Sequence, residues 1–450
     1  MGVAKAFVLL GLGLLVVSGG GAAVCTLTSL DCRGELAALV GRDGSFDPPP
    51  RSAPGPASFS RDGLVEERVV RGLVEPTDFA FLPDGRILVS EKRGAVRLVS
   101  NGRLAPRLVL DLRETTATAE SRGMTTVAAD PSFPKKPYIY VLRTLGVADP
   151  DAPTTARLSR FTLDRDTARP GSELVLIGSR NDGSCLSHPA SDDCLPADHQ
   201  HIGGQIHFDR DGMLLISTGD GGGGGPGDKD AISIRAQDVN ALGGKIVRIT
   251  RTGKGVATNP YWNGNPDANR SKVWARGLRN PFRWTFDPNS EALVVADLGE
   301  DSDEISFVRR GNNAGWPCFE GGERFSPHQQ STGCVRLYAS GAGAVTKPAI
   351  VFGSLDARSL VGGVFYSGDK LPSEYTGSYF FADFIYGWIK TVRFGKDGRP
   401  LGKPQPFGSN LSGPVALHQG PDGFLYYLSY LRGTLERVKI SRSSASRTSP

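Results

Sequence analysis

Apolar and polar positions along this chain repeat as one module: an apolar strand, an Asp-containing turn, a second apolar strand, and a polar or glycine-rich step. The module reads clearly as Phe79-Ala-Phe-Leu-Pro-Asp-Gly-Arg-Ile-Leu-Val-Ser90, and again on either side of Asp211-Gly212. Trp284-Thr-Phe-Asp-Pro-Asn-Ser-Glu-Ala-Leu-Val-Val-Ala296 is a further copy, and Gln419 to Ser429 another. Longer-looped versions run from Val127 to Leu142 and from Gly363 to Ala382, which makes six. Period-two apolar segments around Pro, Gly, Asn and Asp predict hairpins, and no helical period of useful length lies between them. Parallel strand–helix–strand units are thereby excluded.

Repeated hairpin modules bury their faces only against neighbouring copies, as the blades of a propeller do. The pattern predicts an all-β, six-bladed β-propeller over residues 62–440. A pair of β-sandwiches competes, but the uniform turn chemistry from end to end argues against two unrelated domains. Ligands of propellers gather at one mouth of the central channel, where loops of several blades converge.

The ends of the chain read differently. Lys5, the apolar stretch Phe7 to Val17 and small residues through Ala22-Ala23 predict an export signal over residues 1–23, with an uncleaved anchor as the alternative. Residues 24–61 read as a cysteine-containing, proline-rich linker, and residues 441–450 as a disordered tail with nothing to bury. Six cysteines form three local couples, Cys25 with Cys32, Cys185 with Cys194 and Cys318 with Cys334, which predicts short-loop disulfides in a secreted or periplasmic protein. Glycine, at 58 residues, is well above the average of ~7% and fits a turn-rich fold. The net charge of +5 forms no basic stripe, so no nucleic-acid partner is expected.

Chemistry concentrates on the hairpin that runs from His201 to Asp220. Asp211-Gly212 favours a two-residue type I′ turn. With Arg210 opposite Met213, facing residues have numbers that sum to 423, so His201 opposes Gly222 and Asp220 opposes Gly203. A base and its orienting carboxylate then emerge at one end of the ladder. The bland alternative is a structural histidine beside a mobile glycine loop.

Three more segments have the polarity of site loops. Arg279, Asn280 and Arg283 precede or open a strand, and guanidinium groups suit planar carboxylates. The loop Gly299-Glu300-Asp301-Ser302-Asp303-Glu304 offers oxygens suited to calcium, or is a solvated acidic turn. Asn313-Ala-Gly-Trp316-Pro317 supplies amides and an indole that line a sugar site or fix a buried turn.

Taken in order, His201-x-Gly-Gly, Gly219-Asp-Gly-Gly, Leu242-Gly-Gly-Lys-Ile, Gly277-Leu-Arg-Asn-Pro, Asp303-Glu-Ile and Asn313-Ala-Gly-Trp-Pro resemble the glucose/sorbosone dehydrogenase family. The resemblance covers most of residues 64–440 and implies a propeller that uses pyrroloquinoline quinone (PQQ) and calcium. It implies His201 as general base for an aldose C1 hydroxyl and Asp220 as its orienting partner. Arg279 and Asn280 would contact the cofactor, and Gly299 and Glu300 would offer carbonyls to calcium. The partners implied are a sugar and an electron acceptor.

Departures from the glucose-oxidising pattern are equally specific. Ser121 stands at the position of a Gln, Ile385 at that of a Lys, and Gly413 and Val415 at those of an Arg pair. Arg122, Arg283 and Lys390 are the nearby cations that could substitute for them around a quinone tricarboxylate. The sequence is also similar to the propeller of hedgehog-interacting-protein-like proteins. That branch supports an alternative, a secreted propeller that binds a carbohydrate or protein without turnover. A calcium-dependent lactonase is a third reading.

Overall fold

The computed structural model describes residues 56–146, 154–180, 193–197, 200–222, 232–341 and 343–441, together with three strands near the amino terminus. Those strands, Phe7–Leu10, Gly13–Ser18 and Gly21–Thr26, form an antiparallel sheet within the unit Met1–Ser52. The span read as an export signal, residues 1–23, contains the first two and the start of the third. Among the described residues no helix is long and apolar enough to cross a membrane.

The unit Ala53–Pro450 is a six-bladed β-propeller. Its innermost strands are Pro76–Phe81, Met124–Ala129, Ile206–Phe208, Pro281–Phe286, Leu360–Phe365 and Pro414–Gln419, for blades 1 to 6 in turn. Each pairs antiparallel with the next strand in sequence, and every module seen in the sequence is such an inner pair. The second strands Ile87–Glu91, Leu214–Thr218, Leu293–Asp297, Tyr379–Asp383 and Leu425–Ser429 are buried along their whole length. Covered on both faces, they carry near-continuous apolar runs.

The core is a ring of interfaces between blades. One cluster joins blades 2 and 3 through Leu142, Leu158, Ile216 and Val247, and another joins blades 4 and 5 through Val294, Ile305, Tyr379 and Phe381. Closure comes from the amino-terminal side: Leu64–Arg71 pairs with Thr434–Ile440 and becomes the outer strand of blade 6. Ser58–Phe59, in the span read as linker, pairs with Gly408 and Ser409 at the edge of blade 5. Closing the circle in this way leaves the ring no free seam.

The blade 3 hairpin departs from the expected register. Ile206 faces Ile216 and Phe208 faces Leu214, so facing numbers sum to 422. Gly212 takes a positive φ of 73°, whereas Asp211 does not, and Asp209 Oδ1 accepts from the Met213 amide at 2.8 Å. The Asp209 side chain closes a three-residue loop with glycine in the left-handed position, in place of a type I′ turn. The same register persists to the loop end, where the Gly221 amide donates to His201 O at 3.3 Å and the Gln200 amide to Gly222 O at 3.1 Å.

Candidate active site at the channel mouth

The chain reaches each inner strand from one end of the channel, and His201, Arg122 and Arg279 all lie at that end. His201 has a φ of 54°, uncommon for a residue with a Cβ. This conformation brings its Nδ1 to 2.8 Å from Asp220 Oδ1. Gly222 makes the turn possible, because a Cβ there would collide with the imidazole. His201 and Asp220 therefore meet directly, one register step away from where the sequence placed them.

Asp220 is almost wholly buried at 1% exposure, and its carboxylate is fully engaged. The Gly222 amide donates to Oδ1 at 2.8 Å and Trp316 Nε1 donates to Oδ2 at 2.8 Å. Burial alone would raise its pKa, but the contact with His201, the charge of Arg279 and the Gly222 amide together hold it down at about 2. For His201 the balance runs the other way: burial and then Arg279 lower its pKa against the pull of Asp220. The imidazole is neutral at pH 7. With Asp220 taking the proton on Nδ1, Nε2 carries the lone pair a base needs.

Blade 4 supplies the neighbouring wall. Asp297 ties the loop before the inner strand, its two oxygens accepting from the Arg279 and Asn280 amides at 3.0 and 2.7 Å. Asn280 Oδ1 in turn accepts from the Gly203 amide at 3.2 Å, and the Asp220 amide donates to Arg279 O at 2.7 Å. These bonds lock the loops of blades 3 and 4 together. The Arg279 guanidinium lies 5.2 Å from the Trp316 ring centre and donates through Nη1 to Gly299 O at 2.7 Å and Leu298 O at 3.2 Å. Two carbonyls of the acidic loop thus converge on a cation.

Beneath them lies a group of buried carboxyls. Glu320 Oε1 accepts from the amides of Glu300 and Asp301, and Asp303 Oδ1 from the Gly299 amide at 3.1 Å. Burial, partly offset by backbone amides, raises Asp297 to about 7. Glu304 rises to about 8 by burial and by the nearby Asp297. The site loops of blade 4 are also braced by the Cys318–Cys334 disulfide, which joins the Trp316 turn to the helix Thr332–Ala339. Cys194 is buried and disulfide-bonded, while Cys185 and Cys32, the expected partners of Cys194 and Cys25, lie outside the described residues.

Two of the substitute cations are placed elsewhere. Arg283 spends its guanidinium on backbone carbonyls, donating through Nη2 to Thr77 O at 2.6 Å and Thr125 O at 3.1 Å and through Nη1 to Gly204 O. Lys390 sits on the third strand of blade 5, with Nζ 4.1 Å from the Trp388 ring centre. Arg122 remains at the mouth, buried, with Nε donating to Ala119 O at 3.3 Å. Lys92 was missed by the sequence argument: it follows the second strand of blade 1 and reaches Glu120 O at 2.7 Å, with burial lowering its pKa. Trp316 was noticed, but its bond to Asp220 was not foreseeable from spacing.

A family model, Glucose / Sorbosone dehydrogenase, matches residues 73–435. The chain belongs to the glucose/sorbosone dehydrogenase family. Within curated sequences it is 26% identical to the uncharacterized protein slr1608 of Synechocystis over 372 residues, covering 80% of this chain and 82% of that protein. Aldose sugar dehydrogenase YliI of Escherichia coli is 30% identical over 234 residues, 51% of this chain and 57% of the relative. Among solved structures, the PQQ-bound aldose sugar dehydrogenase of Streptomyces coelicolor superposes with a TM-score of 0.59 at 19% identity, over 86% of this chain and 99% of that one. That superposition shows the shared propeller.

Proposed function

We propose that this chain is an exported PQQ- and calcium-dependent sugar dehydrogenase that oxidises an aldose or related polyol at C1 to the lactone. The observation that carries the reading is the neutral His201 held by Asp220, which is itself held by Trp316, beside a cation shared by two carbonyls. His201 Nε2 accepts the proton of the C1 hydroxyl, and the carboxylate of Asp220 stabilises the imidazolium that forms. Trp316 and the Gly222 amide fix the carboxylate, so the ring keeps one orientation through the transfer.

The residues present fit the cofactor pair. Leu298 O and Gly299 O already converge on a positive group, and backbone carbonyls of this kind are among the roughly six to eight oxygens a calcium ion takes. Arg279, Arg122 and Lys92 supply cationic groups at the mouth for a polycarboxylate, which offsets the positions at Ser121, Ile385, Gly413 and Val415. Asn280 would adjoin the cofactor, and Glu300 would add a third carbonyl to the calcium set. When bound, the quinone supplies a two-electron acceptor and calcium polarises it, while an external acceptor reoxidises it.

Export is supported by the apolar amino-terminal stretch and by the Cys318–Cys334 disulfide, which suits an oxidising compartment. The departures at Ser121 and Ile385 favour the competing reading, a carbohydrate- or protein-binding propeller without turnover. Purified protein supplied with PQQ and calcium chloride decides between them by dye reduction across a panel of aldoses. Reduction that requires both additions supports the dehydrogenase; none with any aldose contradicts it. Lactone hydrolysis with calcium alone would point to the third reading.

A further inference from the structure

Beyond the mouth, the channel holds a second chamber of about 280 Å³, lined by the inner strands of all six blades. His201 is not part of it. Arg283 forms the partition, since its guanidinium reaches across the axis from blade 4 to carbonyls of blades 1, 2 and 3. The volume sits near the lower end of small-molecule pockets, roughly 300 Å³ and up. Small residues Ala80, Ala128, Gly362 and Gly363 leave the channel-facing strand edges uncovered, where backbone amides and carbonyls are on offer.

Its side-chain chemistry is specific. His418 Nε2 donates to Asp78 Oδ1 at 3.0 Å, and Asp78 Oδ2 accepts from Thr126 at 2.7 Å. His207 Nε2 donates to Trp284 O at 3.1 Å. Each imidazole therefore presents Nδ1 as the remaining polar atom, and among the described residues neither meets a protein donor there. Burial lowers His207 to about 4, so that ring is a neutral acceptor. The walls between these groups are Phe79, Phe81 and Phe208.

From this arrangement we propose that the inner chamber is a second ligand site, separate from the catalytic mouth, that takes a neutral polyhydroxylated molecule of monosaccharide size. Hydroxyls both donate and accept, which matches the ring nitrogens of His207 and His418 and the exposed strand edges. Aromatic rings cover the C–H faces of such a ligand. An anion would meet Asp78 and imidazole lone pairs, with the Arg283 donors already committed to carbonyls. A cation would meet Arg283 itself.

Saturation-transfer NMR on the full chain without quinone tests this, with D-glucose, D-xylose and xylitol as probes and acetate and methylammonium as charged controls. At least one neutral probe should show transfer that survives His201→Ala. His207→Phe, which keeps a ring against Trp284 and Phe286, should weaken it about tenfold, the worth of one hydrogen bond. Ala80→Leu, which fills the chamber from a half-buried position, should abolish it. Both variants are checked for folding by melting, and if one fails to fold the other decides. No transfer from any neutral probe, a preference for either charged control, loss in His201→Ala, or wild-type binding by a folded His207→Phe or Ala80→Leu variant would each overturn the proposal. It does not rest on the dehydrogenase reading, which quinone-dependent dye reduction decides separately.

Discussion

Two histidine–carboxylate pairs face the axis of this propeller, His201 with Asp220 at the mouth and His418 with Asp78 in the inner chamber. Their distances are alike, 2.8 and 3.0 Å, and both carboxylates are almost wholly buried with pKa values held low. The surroundings differ. At the mouth, the ring rises from a strained backbone among glycines, with Arg279 and the Leu298 and Gly299 carbonyls alongside. In the chamber, the pair lies on regular strands packed edge-on against Phe79, and the nearby Arg283 serves only carbonyls. A shared dyad is thus no sign of shared chemistry; what differs is the strained, glycine-flanked backbone under His201 and the two loop carbonyls that converge on Arg279 beside it.

That contrast can be broken from either side. The largest effect belongs to the partition: Arg283→Met strands the carbonyls of Thr77, Thr125 and Gly204 and should lower stability by about 3 kcal/mol or more, read by denaturant melting. Exchanging the carboxylates separates the two pairs. Asp220→Asn should cut dye reduction roughly a hundredfold, as expected for loss of a base's orienting partner. Asp78→Asn should instead cost about 2 kcal/mol of stability while dye reduction stays near wild type.

Smaller effects sharpen the mouth itself. Trp316→Phe removes the donor to Asp220 Oδ2 and should slow turnover about tenfold. The freed carboxylate would hold His201⁺ more strongly, so the acid limb of the pH–rate profile should move upward. Arg279 works in the same direction. Its charge lowers the pKa of His201, so the wild-type limb should lie below the ordinary histidine value of about 6.5. Arg279→Met should shift it up even if cofactor affinity also falls.

Much of this fold was legible because all six inner strand pairs are joined by Asp-containing turns or loops between apolar runs. The outer strands were not, since they vary in length and reach their partners through irregular loops. Blade 6 shows the limit well: its outer strand comes from Leu64–Arg71, far away in sequence. At the site, the pairing of His201 and Asp220 was readable even though the register was off by one, because a shift of one residue leaves both at the same ladder end. The Asp209 bond that set the true register was a side-chain choice within the turn. Arg279 and Asn280 were legible as polar residues of a loop at the channel mouth, whereas Asp297, which positions both amides, read only as one acid among several. Arg283 misled for a related reason: a buried guanidinium facing backbone carbonyls looks, in sequence, like one facing a ligand.

The central claim is that His201 is the base of a quinone-dependent sugar oxidation. Its most direct test is dye reduction by the wild type and His201→Ala, each saturated with PQQ and calcium, after equal cofactor binding has been shown by absorbance. A drop of roughly a hundredfold or more with cofactor binding intact is the predicted result. Undiminished reduction by His201→Ala would contradict the account.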